Sequence, residues 1–229
     1  VRTVMRIAII ADVHSNLQAL ETVLERIGSA GVDLVVCAGD VVGYGANPNE
    51  CCARVHEVSG YSIAGNHDVA SVIDDSSGMN PYAAAAIFWT NRSLTNESKK
   101  YLASLKRSGR LNLGGVSVAL YHGSPKDVNE YVYEDDVGTE LLADSNAAVT
   151  IMGHTHIPYI KQFPSGLVLN PGSVGQPRDG DPRASFALLK LPSRDCEIVR
   201  VEYPVARASE AIIAAGLPSM LAQRLSVGR

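Results

Sequence analysis

The sequence predicts an α/β protein in which one domain, residues 1–229, holds two β-sheets. Three observations lead there. The first third alternates short apolar, β-branched runs with segments of helical period, and this β-α-β-α-β order implies parallel strands joined by right-handed crossovers. The second half adds six strand-like runs, near 110–121, 148–152, 157–163, 167–170, 185–190 and 196–203, enough for a second sheet. No repeat, low-complexity tract or linker interrupts the 229 residues, a length that fits one sizeable domain.

Residues 5–11, Met-Arg-Ile-Ala-Ile-Ile-Ala, are apolar and β-branched, which suits a buried strand. The run stops at Asp12-Val-His-Ser-Asn16. Ser15 with Gln18 three residues on matches a capping box, and Leu17, Leu20, Val23, Leu24 and Ile27 then share one helical face. Gly28 and Gly31 close that helix. Residues 33–38 form a second buried strand ending at Gly39-Asp40. Residues 47–58, with Pro48 in the first turn, read as a helix. Residues 61–64 are a third strand, ending at Gly65-Asn-His-Asp68. Residues 71–80 are polar and turn-rich, whereas 82–90 and 95–107 look helical. Phe163-Pro-Ser-Gly166 marks a hairpin turn. Residues 208–215 and 220–225 supply closing helices.

Composition narrows the function classes. Hydrophobic residues make up 46% and charged ones 19%, with mean hydropathy +0.04, which excludes a disordered chain. Apolar stretches fall far short of the roughly 20 residues a membrane span needs. Twenty basic against 24 acidic side chains give −4, whereas a nucleic-acid-gripping protein usually carries a basic excess. Cys37, Cys51, Cys52 and Cys196 show no CxxC spacing, so a thiolate zinc site is not expected and a reducing cytoplasm is. Arg2 and Arg6 frame a segment without signal-peptide character. Val1 and Met5 are both candidate first residues.

The strongest signal is positional. Asp12 and His14, then Asp40, then Asn66, His67 and Asp68, then His122, then His154 and His156 each follow directly on an apolar run. Ligands of open α/β sheets gather beyond the carboxyl ends of the strands. Five of six histidines lie in these clusters; only His56 does not. Singly, each cluster has a bland structural reading. Asp12 fits a helix cap, Gly39-Asp40 an ordinary strand exit, Gly65-Asn66 a turn, and the two later histidines satisfied polar groups. Five in order, each at a strand exit, would need five independent coincidences.

Asp12-x-His14, Gly39-Asp40, Gly65-Asn-His-Asp68, His122-Gly123 and Gly153-His154-x-His156 together resemble the ordered motifs of calcineurin-like metallophosphoesterases. The resemblance spans residues 5–175. With Asn170-Pro-Gly-Ser173 and the compact length, it is most similar to the small YfcE-type bacterial and archaeal phosphodiesterase branch. The Asp-Arg-Gly tail of the Ser/Thr protein phosphatases is missing, since Val41 follows Asp40, and their Gly-Asn-His-Glu is Gly-Asn-His-Asp here. The implied fold is a four-layer α/β/β/α sandwich, two mixed β-sheets flanked by helices.

The resemblance implies a pair of divalent cations, drawn from Mn, Fe, Zn, Ni or Mg with Mn favoured, since carboxylate and imidazole donors suit such ions. Asp12, His14 and His156 would hold one ion, Asn66, His122 and His154 the other, and Asp40 would bridge. Residues i and i+2 of a strand exit point to one side, which suits Asp12 with His14 and His154 with His156. Two ions (+4), Asp12 and Asp40 (−2) and a bridging hydroxide (−1) leave +1, attractive to phosphate. That hydroxide would attack phosphorus, and His67 would act as general acid. Asp68 is expected to cap a turn or to orient a histidine. Candidate substrate contacts are Arg178 and Arg183 on a second anionic group, backbone N–H groups of Gly172 and Ser173, and a stacking Tyr44. Residues 71–93 and 123–136 are candidate cleft walls. The expected activity is hydrolysis of a small phosphodiester or nucleotide-type ester, with no membrane partner and a homodimer as an expected assembly. The alternatives are a non-catalytic protein-interaction module on the same fold and a nuclease.

Overall fold

The alternation of side chains along each strand decides which core they enter. The computed structural model describes residues 4–229; Val1 and Arg2, which bear on the start and the leader, lie outside the described residues. In β1 (Met5–Ile10), Ile7 and Ile9 face one cluster while Ala8 and Ile10 face another, as the period of two requires. Helices α1 (Leu17–Ser29) and α2 (Pro48–Val58) link β1 to β2 (Leu34–Cys37) and β2 to β3 (Tyr61–Ser62). These strands pair in parallel, and β9 (Ala184–Leu191) and β10 (Asp195–Val201) extend the sheet antiparallel in the order β10-β9-β1-β2-β3.

The second sheet holds β4 (Ser108–Leu113), β5 (Val116–Tyr121), β6 (Val149–Ile151), β7 (Tyr159–Phe163) and β8 (Gly166–Asn170), ordered β4-β5-β6-β8-β7. It mixes parallel β5-β6-β8 with antiparallel β4-β5 and β7-β8 pairs. Ile7, Ile9 and Val36 of the first sheet meet Leu120, Ile151 and Leu169 of the second in a shared core. Fully burying each such side chain contributes about 1.5–3 kcal/mol. The outer face of the first sheet is covered by α1, α2, α3 (Asn66–Ile73), α4 (Pro81–Ser93), α5 (Asn96–Ser104), α7 (Val205–Ala214) and α8 (Ser219–Leu225). The outer face of the second is covered thinly, by the 132–137 segment and α6 (Thr139–Ser145), through Val132, Val137 and Leu142 on Met152, Tyr159 and Val168. Among the described residues, no helix is long and apolar enough to cross a membrane.

Four local expectations need correction. Asn16, not Ser15, caps α1, accepting from the Ala19 N–H at 3.1 Å. Ser15 is held left-handed (φ 55°) by its N–H bond to the Val41 carbonyl, which leaves its hydroxyl buried and unbonded. The stretch read as turn-rich from residue 71 begins inside α3, whose polar first turn hides the helical period. The 110–121 run is two strands, because Gly114 and Gly115 (φ 58° and 77°) make the two-residue turn that matches strand twist. The short α6 has no counterpart in the sequence reading, since seven residues are too few for a period to show.

Candidate metal centre

The segments after β1, β2, β3, β5 and β6 meet where the carboxyl ends of both sheets converge. A backbone ladder ties the first two: Asp12 N–H donates to the Gly39 carbonyl at 2.9 Å, and His14 N–H to the Asp40 carbonyl at 3.0 Å. The loop after β8 closes the other side, with Val174 and Gly175 N–H groups on the Ala11 and Asp12 carbonyls and the Ser173 hydroxyl donating to Asp12 O at 2.7 Å. Extended geometry is not what brings i and i+2 together. Asp12, His14, Asp40, His154 and His156 are all left-handed, with φ of 53°, 49°, 55°, 68° and 61°. The ladder holds Asp12, His14 and Asp40 at those angles, and left-handed turns replace the strand-exit argument.

Two buried triads result. Donor atoms of Asp12, His14 and His156 lie within 4.8 Å of one another, as do those of Asp40, His122 and His154. Asn66 joins the second, its Oδ1 3.1 Å from His122 Nε2. Asp40 Oδ2 stands between the triads, 3.6 Å from His14 Nε2 and 3.2 Å from His122 Nε2, and it is buried without a hydrogen bond. Asp40 Oδ1 accepts the His67 N–H at 2.9 Å.

The ring nitrogens decide whether cations fit. His14 Nδ1 donates to the Val42 carbonyl at 3.1 Å, and His156 Nδ1 to the Gln176 carbonyl at 2.6 Å. Burial holds both rings well below the usual histidine pKa, hence neutral. A neutral imidazole carries one N–H, so both Nε2 atoms present lone pairs, and they face each other at 3.0 Å. Two acceptors at that distance need a cation beside them. His122 shares the Nδ1 anchor, on the Ala38 carbonyl at 2.9 Å, but its Nε2 faces two acceptor oxygens, a place for a proton or, in its stead, a cation. His154 is reversed: its Nε2 is 3.2 Å from the Asn129 carbonyl, which leaves Nδ1 as the ligand atom. The donor set fits a pair of divalent cations.

Charge follows the same logic. Burial lowers the His122 pKa, but the carboxylates of Asp40 and Asp12 outweigh it and raise it to about 10. Burial raises the Asp40 pKa, yet His122 and His67 draw it well below the ordinary carboxylate value. Asp12 is pushed up by burial, and His154 is pushed down to about 4 by burial and by the His122 charge.

The flanking residues sort by contact. His67, the second residue of α3, has its ring 4.8 Å from that of His14 and 4.5 Å from that of Tyr44; its Nδ1 is buried and unbonded. Asp68 orients no histidine. Its carboxylate accepts the Gly65 N–H at 2.9 Å and the Val42 N–H at 3.0 Å, pinning two ligand loops together. Tyr44 is largely buried, with its ring against His14 and His67, and it also lines the cavity that opens over His67. Arg178 donates to Gln176 Oε1 at 2.9 Å and Tyr44 Oη at 3.4 Å. The Gly172 N–H donates to Asn170 Oδ1, so it does not serve as a phosphate donor, and the Ser173 hydroxyl braces the Asp12 loop. Arg183 pairs with Asp181 at 2.6 Å instead of clamping an anion. A cavity of about 530 Å³ opens over Asn66, His67 and His154, walled by residues 77–83 and by Asn129 and Tyr131. These walls fall in the two segments, 71–93 and 123–136, expected to flank the cleft, whereas the carbonyls of Asn129 and Gln176 that anchor His154 and His156 left no signal, because a backbone acceptor has no residue type.

The relatives agree with this geometry. Residues 5–194 match the calcineurin-like phosphoesterase superfamily domain. Uncharacterized protein MJ0912 of Methanocaldococcus jannaschii is 39% identical, covering 97% of this chain and 98% of its own. Phosphodiesterase YfcE of Escherichia coli K12 is 26% identical over 81% of this chain and 87% of its own. The crystal structure of a metallophosphoesterase from Sphaerobacter thermophilus superposes with TM-score 0.84 at 37% identity, covering 98% of this chain and 99% of that one. The two mixed sheets, the two histidine-carboxylate triads and these likenesses place the chain in the calcineurin-like phosphoesterase superfamily.

Proposed function

We propose that the chain hydrolyses a phosphodiester or nucleotide-type phosphate ester at a pair of divalent cations, Mn²⁺ favoured, with His67 as general acid. The observation that carries this reading is the facing pair of Nε2 lone pairs on His14 and His156, 3.0 Å apart, beside the unbonded Asp40 Oδ2. Asp12, His14 and His156 would hold one ion and Asn66, His122 and His154 the other, with Asp40 shared. When bound, such ions activate the attacking water and neutralise charge on the phosphoryl oxygens.

The chain's own groups orient and deliver a proton. The His67 backbone is fixed by Asp40, and a Cβ added at Gly43 would lie 2.5 Å from its Nδ1. Nε2 is therefore the nitrogen turned to the cavity, within which it can hydrogen-bond or protonate a departing oxygen. The site draws on both sheets, which supports reading the chain as one domain. Free thiols at all four cysteines, three of them buried, suit the proposed cytoplasmic location.

The test is reconstitution of chelated protein with Mn²⁺, measuring ions per chain and turnover of bis(p-nitrophenyl) phosphate. Two ions per chain, turnover lost on chelation, and loss of turnover in Asp40→Asn are expected. Protein that takes up no transition metal, or that holds two ions and hydrolyses no phosphate ester, would refute the proposal.

A further inference from the structure

We infer that the leaving group accepted here is uncharged and planar, a nucleoside or aryl alcohol instead of a polyphosphate tail, and that Tyr131 selects for it. This rests on the phosphoesterase reading above and narrows its substrate. The cavity over His67 has a volume of about 530 Å³, within the range of roughly 300–1,000 Å³ typical of small-molecule pockets. Its lining contains no Lys, Arg, Asp or Glu. Arg178 is not among the lining residues, since its guanidinium is turned to Gln176 and Tyr44. A phosphate tail entering this space beyond the cations that hold the scissile phosphate would shed hydration with no charged side chain of the lining to replace it.

A neutral ring meets the opposite situation. Tyr131 lies over His154, ring centroids 4.1 Å apart and 30° from parallel, yet 48% of the residue stays exposed. Tyr133 stacks behind it at 6.3 Å. Met79 and Ala83 contribute apolar surface to the same lining, and the amide side chains of Asn66 and Asn80 offer neutral hydrogen-bonding groups. Aromatic side chains hold bases by stacking that tolerates any base. Because His67 lines the same space, the group bound there is the one that departs. In the reaction the oxygen of water bonds to phosphorus, the phosphorus–oxygen bond to the alcohol breaks, His67 gives that oxygen its proton, and the proton lost by water restores His67.

The test compares kcat/KM for three methyl phosphodiesters on the Mn²⁺-loaded protein: those of adenosine (5′-linked), of n-pentanol, and of adenosine carrying an added 3′-phosphate. The adenosine ester should exceed the pentyl ester by about tenfold or more, and the 3′-phosphate should lower it. Tyr131→Ala should collapse the adenosine-to-pentyl ratio, whereas Tyr131→Phe should keep it. Saturation-transfer NMR of adenosine with the chelated protein should show base protons in contact with the parent and not with Tyr131→Ala. A ratio unmoved by Tyr131→Ala, or a 3′-phosphorylated ester turned over faster, overturns the inference. If no ester is hydrolysed at all, the phosphoesterase reading fails instead, and the adenosine signal still decides the cavity.

Discussion

Gly43 offers a direct test of how His67 is held. The residue lies at φ +96°, and a Cβ built on it would come within 2.5 Å of His67 Nδ1 and 3.1 Å of its Cγ. Gly43→Ala therefore does two separable things. It forces a side chain onto a backbone conformation that costs about 1–3 kcal/mol, and it displaces a buried ring packed against Tyr44 and His14. Removing the ring in His67→Ala abolishes the second effect and leaves the first. The difference between the two backgrounds is a coupling between contacting residues, of roughly 0.5–3 kcal/mol. At about 2–4 °C per kcal/mol for a chain of this size, Gly43→Ala should lower the melting midpoint by roughly 5–20 °C in the parent and by distinctly less beside His67→Ala. Circular dichroism melts of the four proteins, with Mn²⁺ at saturation, measure this. Turnover of an ester with a poor leaving group should fall about 10²–10⁴-fold in Gly43→Ala, with metal content unchanged. Equal destabilisation in both backgrounds would show that the His67 ring does not occupy the space, and the orientation argued for Nε2 would go with it.

His67→Ala alone should retain both ions by elemental analysis and lose about 10²–10⁴ in turnover of alkyl esters, with p-nitrophenyl esters, which leave unaided, much less affected; parent-level turnover of both would remove the general-acid role. Chelation should lower the melting midpoint, by roughly 10–20 °C relative to protein with two ions each at about 100 times its dissociation constant, and a midpoint indifferent to chelator and metal would argue against a metal centre. In the chelated protein the His122 pKa stands near 10 because, against burial, Asp40 and Asp12 hold its proton. A histidine raised above its unfolded value of 6.5 stabilises fully below that pH and loses the contribution as pH rises through the folded value. Chelated protein should thus lose stability to denaturant between about pH 6.5 and 10, while metal-loaded protein, with a cation in the proton's place, does not; parallel pH profiles would contradict the assignment.

What the sequence disclosed follows from which signals are local. β1 and β2 are buried on both faces, so unbroken β-branched runs announce them, and each ends in a carboxylate. Strand exits gather at one edge by topology, which makes seven scattered donors readable as one centre. The manner of their meeting was not legible. A sequence does not show that Asp12 and Asp40 adopt left-handed angles, because those angles come from a ladder between loops 25 or more residues apart. Roles that depend on a neighbour's backbone were equally hidden. The Gly172 N–H was available by composition and is taken by Asn170 Oδ1; Arg183 was a free cation by composition and is paired with Asp181. That the Tyr44 ring packs against both His14 and His67 while still lining the cavity was equally hidden.

The left-handed ligands bear on what a cation adds. Five residues in that region, at about 1–2 kcal/mol each, amount to roughly 5–10 kcal/mol, comparable with the whole stability of an ordinary domain. Asp and His tolerate the region better than most residues, so the lower end applies. At Asp12, His14 and Asp40 the angles are held by the chain itself, through backbone bonds from Asp12, His14 and Ser15 to Gly39, Asp40 and Val41 and from the post-β8 loop to Asp12. The apolar cores on either side of β1 offset it. The ladder and the ligands therefore carry separate costs: backbone bonds hold the first two loops, whereas a cation would satisfy the facing lone pairs of His14 and His156 and the Asp40 oxygen beside them. It follows that metal affinity should respond steeply to Asp40 or His156, whereas breaking the ladder should appear first as lost stability of the fold and only then as lost metal.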